Sequence, residues 1–222
     1  WIPNGFSMDE VSNAQPLPSE TLARLPKGKF IVGYAGTLGF ANKLDTLMEA
    51  ADLLKAESDI AFVLVGGGRE ESALRELARK KNLRNVIFIK TIPKAQVQSM
   101  LAMFDACYIG LAKDPLFKFG VSPNKLFDYL YAGKPILYAI DSGDYEPVGE
   151  IRAGIQVEPG NPRALADAVL QLRGLSGKER ADMGLRGRNA AVEQYEYGML
   201  AMKLAEVLFS KRASTKDARR RP

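Results

Sequence analysis

The feature that most constrains this 222-residue chain is a rhythm of short apolar runs. Each is broken by a polar, glycine or proline turn, and residues at helical spacing separate most of them. The runs lie at 30–35, 60–65, 86–89, 106–111, 135–140 and 155–157. Leu44, Leu47, Met48, Ala51 and Leu54 follow the first, and Leu74, Leu77 and Ala78 the second. Val97, Met100, Leu101 and Phe104 follow the third, and Leu126, Tyr129 and Leu130 the fourth. Continuously apolar strands are buried on both faces, and alternation with helices makes them parallel. The pattern predicts an α/β fold, a doubly wound parallel sheet of about six strands closed by carboxyl-terminal helices at 162–172, 177–193 and 196–211. Asn161 is the expected cap of the first of these, with Pro162 at its first position. Residues 6–28, with Pro16, Pro18 and Pro26, read as loop or linker with at most a helical turn.

The residue inventory removes whole classes of chemistry. Histidine is absent, so a histidine base, a histidine metal ligand or a Ser–His pair cannot come from this chain. One cysteine, Cys107, excludes a disulfide framework and sits in an apolar run as core filler. No run of 18 apolar residues exists to span a membrane. The formal charge of +5 belongs to the end of the chain: six basic residues stand beyond 209, with Asp217 the single acid among them. The formally neutral body argues against a nucleic-acid-binding face. The tail reads as a solvated, disordered end or as a weak contact with an anionic membrane.

Ligands of such sheets bind beyond the carboxyl ends of the strands, which directs attention to 36–39, 66–69, 90–93, 112–125 and 141–145. Gly33, Gly36 and Gly39 are spaced G-x-x-G-x-x-G, a turn that brings backbone to a phosphate or a plain strand-to-helix turn. It is not a dinucleotide fingerprint, and the second strand ends in Gly66, Gly67 and Gly68 where that fingerprint needs an acid. Ser122-Pro123-Asn124-Lys125-Leu126-Phe127-Asp128 is the most informative segment. Ser122 is the expected cap of a helix starting at Pro123, whose free N–H groups select an anion. Lys125 and Asp128, three residues apart, share a face able to hold a diphosphate and a ribose diol; the alternative is an ordinary surface pair.

Together these segments resemble the carboxyl-terminal donor-binding domain of a GT-B fold, in glycosyltransferase family 4. The resemblance runs from Trp1 to about Phe209. It is carried by Ile2-Pro3-Asn4-Gly5, by Tyr34 to Gly39 with Leu44 to Ala50, by Val65 to Gly68, by Asn85 to Ile89, and by Pro123 to Tyr129 with Ala132 to Pro135. It implies transfer of a sugar, with retained configuration, from a nucleotide diphosphate donor. UDP is the expected carrier, and the acceptor a glycan or lipid-linked sugar in bacterial surface polysaccharide assembly such as O-antigen or capsule. No cofactor or metal is implied, and the location is cytoplasmic, at most peripheral to the membrane. The implied donor contacts are Gly36, Thr37, Leu38, Gly39, Gly67, Gly68, Gly120, Val121, Ser122, Asn124, Lys125 and Asp128. Thr91 and Ile92 receive the base, and Lys125 neutralises the diphosphate. Where many members carry an Arg and a Lys on the diphosphate, this chain has Thr37 and Asn42, with Lys43 one residue off. Of the family's two glutamates, Asp128 matches the ribose-binding one and Gly120 stands at the one on the donor sugar.

The expected organisation is the end of a first domain or a linker over 1–28, a nucleotide-sugar-binding domain over 29–195, a helix over 196–211 crossing back to a first domain, and a disordered basic tail over 212–222. On that reading the chain is a segment of a longer enzyme, inactive alone, with the acceptor bound mainly elsewhere. Two other readings stay open: a sugar-nucleotide epimerase of the same fold, which the lack of histidine weakens, and a non-catalytic nucleotide-binding module.

Overall fold

The computed structural model describes residues 2–143 and 145–217, with the side chains at 118 and 210–217 left aside. The tail's basic side chains therefore lie outside the described residues. Six parallel strands form one sheet: β1 (Phe30–Ala35), β2 (Ile60–Val65), β3 (Val86–Ile89), β4 (Ala106–Gly110), β5 (Ile136–Ala139) and β6 (Gly154–Gln156). Their order is β3-β2-β1-β4-β5-β6, the doubly wound arrangement that the rhythm of the sequence predicts. Successive strands are added to one side of β1 as far as β3 and to the other side from β4 onward, so β1 and β4 flank the point from which the two halves of the sheet wind apart.

Helices cover both faces. In chain order they are α1 (Met8–Ser12), α2 (Ser19–Arg24), α3 (Leu44–Leu53), α4 (Glu71–Lys80), α5 (Val97–Ala102), α6 (Asn124–Tyr131), α7 (Pro147–Glu150), α8 (Pro162–Gly174), α9 (Gly177–Ala190) and α10 (Tyr197–Asp217). The two faces divide by strand alternation. Phe30, Val32 and Tyr34 of β1 and Ile60, Phe62 and Leu64 of β2 pack with α3, α4 and α8. Ile31 and Ala35 of β1 and Val63 and Val65 of β2 pack with α5 and α6. Cys107 is buried in this second layer, where burial pushes its thiol up to about 12, as expected of core filler.

The amino-terminal segment is more ordered than a linker. It folds α1 and α2, and its Phe6, Val11, Leu17 and Leu25 are buried against the second layer. The Phe6 N–H donates to the Tyr195 carbonyl (3.1 Å) and the Tyr197 N–H to the Phe6 carbonyl (3.1 Å), a parallel bridge to the start of α10. The first closing helix begins where its capping residue predicts, the Asn161 side chain accepting from the Ala164 N–H, and α9 opens on a reciprocal capping box of Ser176 and Glu179. The helix expected over 177–193 ends at Ala190 in a π turn over Ala191–Tyr195. The last helix runs to Asp217, past the expected end at 211. Leu200 is its buried anchor, whereas Met202, Leu204, Val207, Leu208 and Phe209 are exposed. Its apolar residues are thus more than the described residues cover.

The crevice at the switch point has a specific bridge. β1 pairs with β2 over all six residues, but with β4 only at Val32 and Gly33. Beyond Gly33 the strands part, and Ala35 has no strand partner on that side. The Tyr129 hydroxyl, reaching from α6, accepts from the Ala35 N–H (2.9 Å) and lies 3.2 Å from its carbonyl. An unpaired buried amide costs about 1–3 kcal/mol. Tyr129→Phe should therefore lower stability by about that amount, measured by urea denaturation. A loss below about 0.5 kcal/mol would mean that water or a small backbone shift serves Ala35 as well.

Candidate functional site

Beyond the carboxyl ends of β1, β2 and β3, closed on one side by α6, lies a cleft of about 300 Å³. That volume is at the lower end for small-molecule sites. The loop after β1 supplies Gly36 and Thr37, the loop after β2 Gly66 and Gly67, the β3–α5 connection Thr91, Ile92 and Lys94, and α6 Lys125 and Asp128.

Two glycine-bearing turns build its floor. Gly36 has φ +152°, and a Cβ there would meet the Lys125 Cε at 2.3 Å, so its lack of a side chain opens the path of the lysine stem. Gly66 has φ +139°, and a Cβ there would lie 1.9 Å from the Gly36 carbonyl oxygen. The glycine run after β2 therefore serves the seating of one loop on the other as much as the opening to a ligand. Gly68 belongs wholly to that contact, since the Leu38 carbonyl fills the space beside it. Gly33 is a packing residue whose missing side chain leaves room for the Phe104 ring.

Lys125 is held in place before any ligand arrives. Its Nζ donates to the Asn42 Oδ1 (3.0 Å) and sits 5.6 Å from the centre of the Tyr34 ring. The Asn42 Nδ2 in turn donates to the Thr37 carbonyl (2.9 Å), which also accepts from the Tyr34 hydroxyl (2.6 Å). Asn42 thus orients a neighbouring cation instead of supplying one. Lys43 pairs with Asp45 and lies outside the cleft lining. Among the described residues Lys125 makes no ion pair, and burial lowers its pKa while Asp128 opposes that shift. A half-buried ammonium without a carboxylate partner, beside the first turn of a helix, is suited to an anion.

Asp128 is the opposite charge of the site. Burial raises its pKa, and Lys94, whose Nζ lies 3.1 Å from both carboxylate oxygens, counters the shift. The ordinary surface pair between Lys125 and Asp128 does not form. Both side chains face one cleft, as their spacing predicts. At Thr91 and Ile92, backbone N–H and C=O groups make no hydrogen bond to protein among the described residues, which leaves them free to read a ligand's edge.

Residues 22–190 match the family model described as glycosyl transferases group 1. The chain belongs to this family. WcaI of Escherichia coli, named as a colanic acid biosynthesis glycosyl transferase, is 28% identical over 152 residues, spanning 66% of this chain and 36% of WcaI. The structure of HepE from Anabaena in complex with UDP-glucose superposes with a TM-score of 0.72 at 18% identity, covering 94% of this chain and 57% of that one. The carboxyl-terminal domain of LpcC, a group 1 family protein from Francisella tularensis, superposes with a TM-score of 0.66 at 19% identity, covering 86% of this chain and 99% of that domain. This chain spans about a third of the length of WcaI, and the fold it shares with these structures is the expected doubly wound one.

Of the residues that family resemblance singles out, Gly36, Thr37, Gly67, Thr91, Ile92, Lys125 and Asp128 come together in the cleft. Leu38 is buried in the core and, with Gly39 and Gly68, stays out of the lining. Gly120, Val121, Ser122 and Asn124 also lie outside it. The expected cap is corrected: α6 starts at Asn124 behind Pro123, and Ser122 caps nothing. Its hydroxyl accepts from the Asn4 N–H (2.8 Å) and its carbonyl from the Asn4 Nδ2 (2.9 Å), so the serine ties the loop to the start of the chain. Ala35, Val65, Gly66, Lys94 and Val97 complete the lining, and of these only Gly66 falls in a stretch beyond a strand end that the sequence singles out. For Lys94 the available signal is its place one residue beyond the stretch 90–93, directly after a strand end. Among the described residues no group of three or more His, Cys, Asp or Glu is placed to hold a metal ion.

Because Lys125 passes through the space beside Gly36, Gly36→Ala should displace the lysine and strain the turn. The expected cost is about 1–3 kcal/mol of stability, read by thermal or urea unfolding. A neutral substitution would show that the turn and lysine relax freely.

Proposed function

We propose that this chain is the donor-binding unit of a retaining glycosyltransferase that uses a UDP-sugar. The observation that carries this reading is the division of labour in one cleft of a group 1 family member. A lone oriented lysine beside the α6 amino terminus faces the same space as a carboxylate one turn further on and the free backbone of Thr91 and Ile92. A nucleoside diphosphate matches that layout, with the base at Thr91 and Ile92, the ribose hydroxyls donating to Asp128, and the diphosphate at Lys125 and the α6 N–H groups. The UDP-glucose bound to HepE, a protein of similar fold, supports the choice of carrier.

On this reading the bond between the anomeric carbon and the diphosphate oxygen breaks, and a bond to an acceptor hydroxyl forms on the same face of the sugar. The acceptor proton passes to the departing diphosphate. Lys125 stabilises the charge that builds there, and electrostatic stabilisation at a leaving group is among the largest contributions a site makes. Charge neutralisation is assigned to lysine and helix terminus, with no metal or cofactor called for. The donor sugar would project toward Gly120 and Val121. The exposed apolar residues of α10 are assigned to contact with the unit that binds the acceptor, a glycan or lipid-linked sugar of a bacterial surface polysaccharide. The name of WcaI supports that class of product. Such a donor is cytoplasmic, and among the described residues no helix is long and apolar enough to cross a membrane. The basic end of the chain would supply at most a peripheral contact with anionic lipid.

Calorimetry with UDP and uridine tests the assignment. Lys125→Ala should weaken UDP binding by about 1.5–3 kcal/mol, the scale of a hydrogen bond to a charged group, and barely affect uridine. Asp128→Asn should weaken both. Equal losses for UDP and uridine in Lys125→Ala would remove the lysine from the diphosphate and give it a structural role.

A further inference from the structure

Asp128 is gripped twice, by Lys94 of the β3–α5 connection and by Gln98 in the first turn of α5. The Lys94 Nζ lies 3.1 Å from each carboxylate oxygen, and the Gln98 Nε2 donates to the Asp128 carbonyl (3.1 Å). The two contacts have different jobs. Gln98 fixes the backbone of α6 at that turn. Lys94 fixes the direction of the carboxylate and stands on the rim of the same cleft, with its own side chain 59% exposed and the Asp128 side chain only 17% exposed. The pair is exposed on the lysine side alone, and it offsets the burial of the Asp128 charge as well as setting its direction. With the ammonium spanning both oxygens from one side, each oxygen keeps a lone pair that the lysine does not use, on a carboxylate that lines the cleft.

We propose that Lys94 is a positioning residue that aims the Asp128 carboxylate at the vicinal hydroxyls of a ribose, so that the site selects a ribonucleoside diphosphate over its 2′-deoxy counterpart. This deepens the donor-site reading and rests on it. The connection that carries Lys94 also carries Thr91 and Ile92, so one short segment would set both the base and the sugar of the nucleoside. The groups acting on Asp128 support the assignment. Burial disfavours its charged form, Glu10 of α1 does so as well, and Lys94 and Lys125 oppose them. Of these two cations Lys94 alone also hydrogen-bonds the carboxylate, so it does more to keep the acceptor of the ribose hydroxyls ionised.

The test compares UDP with 2′-deoxyuridine diphosphate by calorimetry on the 222-residue chain, in wild type, Lys94→Met and Lys94→Arg, with thermal melting as a check of folding. Wild type should bind UDP about tenfold or more tightly than the deoxy compound, the scale of a lost hydrogen bond to a charged group. Lys94→Met should lose about five- to tenfold for UDP and less than about twofold for the deoxy compound, collapsing the ratio; Lys94→Arg should restore most of it. Equal losses for the two nucleotides in Lys94→Met would put Lys94 on the diphosphate and overturn the proposal while leaving the donor site intact. Tighter UDP binding in Lys94→Met would show that the lysine blocks the ribose position, and would overturn it too. A wild type that binds neither nucleotide would overturn the donor-site reading itself.

Discussion

The parting of β1 from β4 beyond Gly33 is the constraint on which the rest of this structure depends. Two strands that stop pairing leave buried backbone groups without partners, and a fold tolerates that only where something else reaches them. Here the Tyr129 hydroxyl does so, at 2.9 Å from the Ala35 N–H. The same hydroxyl locks α6 against the end of β1. Lys125 and Asp128 stand four residues and one residue before Tyr129 on that helix, so a bond that satisfies the sheet also fixes the two charges of the cleft. The crevice and the charges that line it are thus consequences of a single arrangement.

Around that anchor the charges are held by neutral or opposite partners that leave them usable. Lys125 is oriented by an amide, not neutralised by a carboxylate, and its amide partner is itself held by the Thr37 carbonyl. Asp128 is held by a cation on its rim, and burial works against its charge. A site built this way is preorganised for a ligand carrying both a strong anion and hydroxyl donors. The glycines after β1 and β2 supply the remaining requirement, the close seating of two loops that lets backbone approach the ligand.

Much of this was legible in the sequence, because strand runs and helix caps are local signals. Three strands have the expected bounds to the residue, and Asn161 caps α8 as its position suggests. Lys125 and Asp128 were legible because three-residue spacing fixes a common helix face. What was not legible depends on contacts far apart in the chain. Ser122 reads as a cap by its neighbours, yet its hydroxyl is taken by Asn4, 118 residues away. Lys94 carries no local mark of function, and its meaning comes from a carboxylate 34 residues away. Residues 6–28 read as linker because their prolines and polar residues are plentiful, while the four apolar side chains that dock them are too widely spaced to show a period. The glycines after β2 look like ligand-facing residues, and half of that reading yields to the loop packed against them.

On the proposed reading one cleft, floored by Gly36 and Gly66 and flanked by Lys125 and Asp128, receives the nucleoside diphosphate. A crystal structure of this chain with UDP bound tests it most directly. The diphosphate is expected within hydrogen-bond distance of the Lys125 Nζ and the first N–H groups of α6, the ribose hydroxyls on Asp128, and the uracil edge on the backbone of Thr91 and Ile92. A nucleotide seated instead in the neighbouring cleft between α2 and the β3–α5 connection, among Arg24, Lys90 and Gln96, would contradict it.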